Sequence, residues 1–191
     1  MSRDVNVPPA LVAQQTGAWC FAAAEQMARA YYGLPVLNQY EIAYNSLMQL
    51  VGAMAPPHLA NWNNATLLDL MNGVVADITP AQLAVSGNPP NPNSQRVALV
   101  QNTMGAFNIA PFAGASLGGQ ATQGNFRADI EANKIVVIGN FIHYYVVYGY
   151  NDINGFDLKV RDPMPTGVGG LSTAVPYANF NAWHAKVVIR F

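Results

Sequence analysis

The chain has 191 residues, about half of them apolar, with only 10% charged and a formal net charge of −1. Ordinary soluble proteins carry roughly 25% charged residues, so polarity here comes from Asn, Gln, Ser and Thr, and the absence of any Lys/Arg cluster argues against nucleic-acid binding. One cysteine excludes an intrachain disulfide and thiol-rich zinc sites, no apolar run approaches the ~18 residues a membrane span needs, and the length suits a single domain.

In chain order, the first stretch, residues 1–15, has an arginine but no apolar block behind it, so no signal peptide is expected. Next comes Gln14-Gln15-Thr16-Gly17-Ala18-Trp19-Cys20-Phe21-Ala22-Ala23-Ala24, a polar turn running into an alanine-rich segment. A helix is predicted over 18–32, stopped by Gly33 and Pro35. The lone thiol, Cys20, thus falls at a helix start, where first-turn N–H groups and the helix dipole favour a thiolate. A thiolate is the form that attacks carbonyl carbon.

A second helix is expected over 39–51, capped by Asn38, and a third over 65–74 after Asn63-Asn64, separated by a loop at 54–57. Residues 87–93, with three prolines, read as loop, and a further helix is expected over 94–106. Residues 114–124 read as a flexible segment, followed by a short helix over 125–133 capped by Asn125.

From Ile135 the apolar period changes to two. Strands are predicted at 135–139, 143–151, 156–161 and 186–191, with 151–155 as a hairpin turn. Helices first and antiparallel strands last indicate an α+β domain in which a helix packs against a sheet.

Three histidines are candidate bases. His58 follows two prolines, and His184 lies beside Trp183; both read as structural or exposed. His143 opens the strand Tyr144-Tyr145-Val146-Val147-Tyr148. Taken alone, it reads as a satisfied structural histidine. Asp162, in Arg161-Asp162-Pro163, ends the strand that pairs with it through the hairpin. Counted from a turn centre near Ile153, His143 lies ten residues before and Asp162 nine after, so both fall at one sheet end within a register step. An aspartate before proline commonly starts a turn; placed opposite a histidine, it is also a candidate to hold the imidazole tautomer. Gln14, six residues before Cys20, is the candidate neutral amide for an oxyanion.

Glutamine, then a cysteine opening a helix, then histidine and an acid resembles the papain-like cysteine peptidases. The segment 14–23 is especially similar to their compact bacterial branch, which includes staphopain-like enzymes, plant-pathogen avirulence proteases and bacteriocin-leader peptidases. Gln39-Tyr40-Glu41-Ile42-Ala43, His143-Tyr144-Tyr145-Val146-Val147-Tyr148-Gly149, Val160-Arg161-Asp162-Pro163 and Phe180-Asn181-Ala182-Trp183 extend the likeness. Residues 55–125 carry no shared motif. The resemblance implies a papain-like fold and peptide-bond hydrolysis through a thioester acyl-enzyme. Cys20 would be the nucleophile, His143 the base and acid, Asp162 the orienting group, and Gln14 the oxyanion donor beside the Cys20 N–H. Phe21 stands where the family usually has tryptophan, Trp19 where papain has a small residue, and the third role is asparagine in papain but aspartate in the bacterial branch.

Trp19, Trp62, Trp183 and the Tyr144-Tyr145 pair are candidates to line a groove for apolar substrate residues, with Trp19 and Tyr144 the substrate-binding choices. A monomer acting on a protein or peptide, with no metal or organic cofactor, is expected. Only 19 residues precede Cys20, so no papain-type inhibitory pro-segment is expected. The low-charge, Asn- and Ala-rich composition suits a secreted bacterial enzyme or an injected effector. Two alternatives stay open: other thiol acyl transfer on the same scaffold (deamidation, isopeptide cleavage or transfer to an amine), and a silent binding module that has kept the fold.

Overall fold

A computed structural model of the chain describes residues 1–17, 19–43, 116–117, 121–140, 143–183 and 186–191. The helices expected over 65–74 and 94–106, the loops at 54–57 and 87–93, His58, Trp62 and His184 lie outside the described residues. Within them the architecture is α+β. Its elements are β1 (Ser2–Asp4), α1 (Cys20–Tyr31), β2 (Ser116–Leu117), α2 (Gln123–Glu131), β3 (Val136–Gly139), β4 (Tyr144–Asn151), β5 (Asp157–Asp162), β6 (Gly170–Pro176), α3 (Tyr177–Ala182) and β7 (Val187–Arg190).

The strands form one antiparallel sheet in the order β2-β7-β3-β4-β5-β6. β1 pairs with residues 149–151 of β4, whose other edge is taken there by β5, so β1 lies on the β3 side beyond the end of β3. The centre of the sheet is fully buried and, apart from Leu158, β-branched: Val136, Val137, Ile138, Val146, Val147, Leu158, Val160 and Ile189. Each such side chain contributes about 1.5–3 kcal/mol relative to leaving it exposed.

α1 begins at Cys20 and packs along β4. Its buried stripe is Ala22, Ala23, Ala24, Met27 and Ala28, and the small side chains allow close approach to the sheet. The stop is a Schellman motif. The Leu34 N–H donates to the Arg29 carbonyl at 2.9 Å and the Gly33 N–H to that of Ala30 at 3.2 Å, with Gly33 at φ +67°. That left-handed conformation is costly for any residue with a Cβ. Residues 39–43 are helical, the described part of the second expected helix. Asn38 caps them: its side chain accepts from the Glu41 N–H at 2.8 Å, while the Glu41 carboxylate accepts from the Asn38 N–H at 2.9 Å.

Three local expectations differ from what is observed. α2 starts at Gln123, and its cap is Thr122; Asn125 is the third helical residue and completes a reciprocal capping box. Within 114–124, Ser116–Leu117 forms a strand on β7, because a sheet edge recruits backbone N–H and C=O groups whatever the composition. β1, β6 and α3 were not expected: β1 has three residues, and β6 is rich in glycine and small polar residues, Gly170, Ser172 and Thr173.

Among the described residues before α1 there is no helix and, beyond β1, no strand, yet this stretch is tied down along its length. The Val5 N–H donates to the Tyr148 carbonyl at 2.9 Å, Lys159 pairs with Asp4 at 2.7 Å, and the Arg161 Nε donates to the Pro9 carbonyl at 2.9 Å. It therefore runs from the hairpin end of β4–β5 to the opposite end and delivers Gln14 beside the loop after Asp162.

Candidate active site

α1 positions the thiol. Cys20 is its first residue and is 6% exposed. The N-cap residue, Trp19, makes no side-chain capping bond, and no acidic residue sits in the first turn. The positive end of the dipole and the first-turn N–H groups, among them that of Cys20, favour negative charge at this position.

His143 sits at the turn from β3 into β4. The Asn140 carboxamide accepts from the His143 N–H at 3.0 Å, and the Asn140 N–H donates to the His143 carbonyl, also at 3.0 Å. Gly139 is required just before it. A Cβ there would lie 2.9 Å from the Tyr144 ring and 3.0 Å from the His143 carbonyl oxygen. The strand-edge turn thus fixes the backbone of His143 from both sides.

Asp162 ends β5. The hairpin register differs from the count about Ile153. Asn151 faces Asp157, Tyr150 faces Leu158, and a bulge between Val147 and Gly149 brings Arg161 opposite Val146. Asp162 is then level with Tyr145, and the imidazole reaches two residues along to meet it. The contact is short: His143 Nε2 to Asp162 Oδ1 is 2.6 Å. The same oxygen accepts from the Met164 N–H at 2.8 Å, an Asx turn that holds the carboxylate against the strand end. A carboxylate only accepts, so the nitrogen facing it carries the proton, and Nδ1 is left for the thiol.

The Cys20 side chain lies near enough to the imidazole to raise its pKa. Burial disfavours a charged imidazole. The hydrogen bond to the Asp162 carboxylate, together with the nearby Cys20, outweighs it and raises His143 to about 9. An imidazolium braced by the Asp162 carboxylate is the state of His143 that this arrangement favours.

Since the folded-state value lies above the ordinary 6.5, the imidazolium contributes stability that is complete below about 6.5 and lost as pH rises through about 9. The same titration removes the proton that a leaving amine would receive. Turnover is therefore expected to fall along an alkaline limb near pH 9, and that limb should move to lower pH in Asp162→Asn. A pH–rate profile with no alkaline limb below pH 10 would contradict this assignment. Asp162→Asn should lower kcat/KM by about 10²-fold, less than the ~10⁴-fold that follows when the wrong tautomer is imposed, because the amide oxygen still accepts from Nε2–H. A loss as large as that of His143→Ala would show that charge, not orientation, is what Asp162 supplies.

Gln14 is fully buried. Its Nε2 donates to the Thr16 carbonyl at 2.7 Å, which fixes the amide's orientation, because a carbonyl only accepts. One Nε2 hydrogen remains, and the Oε1 has no hydrogen-bond partner among the described residues. Its backbone is locked to the loop after Asp162: the Gln14 N–H donates to the Pro163 carbonyl at 3.0 Å, and the Gly167 N–H donates to the Gln14 carbonyl at 2.9 Å. Gln14 and Asp162 are therefore parts of one hydrogen-bonded unit.

The aromatic residues divide. Trp19 is buried, edge-on to the half-exposed Tyr40 at 6.3 Å, so Tyr40 presents the accessible ring of that pair. Tyr144, the other substrate-binding choice, is 2% exposed and lies over Gly139 in the core. Strand alternation puts Tyr145 on the side of His143 instead, their rings edge-to-face at 4.5 Å, with Tyr145 stacked on Trp183 at 5.9 Å. Burial first, and then the neighbouring Asp162 and Cys20, push the Tyr145 hydroxyl upward, so it stays neutral. Asn140 carried no signal in the sequence beyond its position three residues before His143.

Among the described residues, no group of three or more His, Cys, Asp or Glu is arranged to hold a metal ion, and no helix is long and apolar enough to cross a membrane. No family model matches the chain, and no curated protein matches its sequence.

Proposed function

We propose that the protein is a cysteine peptidase of the papain-like type, acting on protein or peptide substrates through a thioester. The observation that carries this reading is the 2.6 Å bond between His143 Nε2 and Asp162 Oδ1, on an imidazole whose pKa is raised also by the nearby Cys20, the first residue of α1. A structural histidine satisfied by an aspartate does not also need a thiol at a helix dipole.

The Cys20 thiolate adds to the substrate carbonyl carbon, and the carbonyl π electrons move to oxygen. The Cys20 N–H and the remaining Gln14 Nε2 hydrogen stabilise that oxyanion. The His143 imidazolium protonates the amine as the C–N bond breaks, leaving a thioester and a neutral imidazole. The imidazole then takes a proton from water, hydroxide adds to the thioester carbonyl, and the carboxylic acid departs as the thiolate–imidazolium pair is restored. Asp162 keeps Nε2 protonated throughout and accepts no proton itself. The helix packed on an antiparallel sheet, with thiol and imidazole facing across their junction, is the architecture a papain-like enzyme uses.

Labelling with an epoxysuccinyl probe, followed by a peptide-library cleavage screen, tests the reading. Stoichiometric modification of Cys20 together with cleavage of some peptides is expected. Cys20 that alkylates at pH 6 no faster than free cysteine would overturn it in favour of a silent module. Fast alkylation with release of ammonia alone, or with transfer to an added amine, would assign the site to a different acyl transfer.

A further inference from the structure

Gln14 lies in a segment with no helix or strand to hold it, so the placement of its amide depends on what grips the chain around it. One side is held by Pro163 and Gly167. The other side is held by a single side chain. Gln39, the first residue of the helical stretch 39–43 and 1% exposed, donates from Nε2 to the Ala13 carbonyl at 2.8 Å, and its Oε1 accepts from the Gln15 N–H at 2.8 Å. It thereby clamps the residue before Gln14 and the residue after it. The second Nε2 hydrogen goes to the Gln26 Oε1 at 3.0 Å, and Gln26 in turn donates to the Leu37 carbonyl at 2.7 Å. Both Gln39 donors are used, and its amide cannot flip without losing all three bonds. Gln26 lies on α1, the helix that Cys20 opens, so the clamp refers the Gln14 segment directly to the thiol-bearing helix.

We propose that Gln39 is a positioning residue for oxyanion stabilisation, acting through Gln14 and not through the thiol or the imidazole. This rests on the reading of Gln14 as oxyanion donor. Buried carboxamides of this kind are common as plain chain braces, so the test must separate oxyanion stabilisation from general stability.

Two variants of similar volume serve. Gln39→Met removes all three bonds. Gln39→Glu keeps the acceptor for the Gln15 N–H but sets a carboxylate against the Ala13 carbonyl and the Gln26 oxygen. Each is measured alone and in the Gln14→Ala background for three quantities: steady-state cleavage of the best peptide from the screen, Cys20 alkylation by iodoacetamide, and inhibition by an N-acetyl dipeptide aldehyde built on that peptide. Alkylation is displacement at a saturated carbon and creates no oxyanion, whereas the aldehyde adduct places an oxygen where the oxyanion forms.

We expect kcat to fall by about 10- to 100-fold with KM within about twofold, the aldehyde to weaken in proportion, and alkylation to stay within about twofold. In Gln14→Ala, adding Gln39→Met should cost less than about twofold more, since there is no longer an amide to position. Unchanged kcat in Gln39→Met, additive losses in the double variant, or alkylation falling in parallel with turnover would each overturn the role of Gln39. These outcomes differ from a failure of the peptidase reading, in which the unmodified protein itself cleaves no peptide and binds no aldehyde; in that case the Gln39 assignment falls with it.

Discussion

Cys20→Ala is expected to abolish peptide cleavage, with kcat down by roughly 10⁶-fold, the scale seen when a hydrolase loses its nucleophile. No other cysteine exists in the chain to take over. The change removes one sulfur from a side chain already 6% exposed in the core, so the fold should survive with a loss of about 1 kcal/mol or less. Near-unchanged thermal melting alongside lost turnover and lost probe labelling is the signature to look for. Cys20→Ser should be almost as inactive, since the hydroxyl is far harder to ionise than the thiol in the same place. Residual cleavage within about tenfold of the unsubstituted protein would mean the chemistry lies elsewhere.

His143→Ala is expected to reduce kcat/KM by about 10⁴- to 10⁶-fold. On the proposed mechanism it also removes the cation that would stabilise a Cys20 thiolate, so alkylation of Cys20 at pH 6 should slow markedly, which Gln14→Ala should not cause. Asp162 then loses its partner while remaining tied to the Met164 N–H. A folded protein with a slow thiol is therefore the expected product. His184→Ala serves as the comparison, because His184 is the other histidine beside an aromatic residue near the final strand. Equal activity in the two alanine variants would show that His143 is not the base.

Legibility in the sequence varied with the range of the interactions involved. α1 was readable almost to its ends, because Ala22 to Ala28 is an intrinsically helical run and Gly33 is a local stop. The Asn38 cap was readable for the same reason, since its partner Glu41 lies one turn away. The cap of α2 was misplaced by three residues because Asn125 and Thr122 are both good capping types and engage each other reciprocally; composition cannot say which is outside. β6 was missed because Gly169-Gly170 and Ser172-Thr173 carry turn chemistry, and only pairing with β5 makes the segment a strand.

At the site, the positions of Cys20 at a helix start and of His143 and Asp162 at one sheet end were legible from period and turn. The register was not. The bulge in β4 depends on the partner strand and moves Asp162 level with Tyr145, and the short bond to His143 exists because the imidazole spans that offset. Alternation alone could have assigned Tyr145 rather than Tyr144 to the site face once the direction of His143 was taken as the reference. The clamps on Gln14 had no local signal, because Gln39, Pro163 and Gly167 approach it from 24 residues or more away.

The amino-acid sequence by itself determined the α+β class, the helix that presents the thiol and the strands that carry the imidazole and the carboxylate, since each follows from periodicity and from residues within one or two turns. Only the tertiary structure decided which ring atom meets Asp162, which tyrosine faces the imidazole and what holds the Gln14 amide. Those outcomes turn on distances of a few tenths of an ångström between segments far apart in the chain, and packing and backbone hydrogen bonds across the sheet, not local propensity, set such distances.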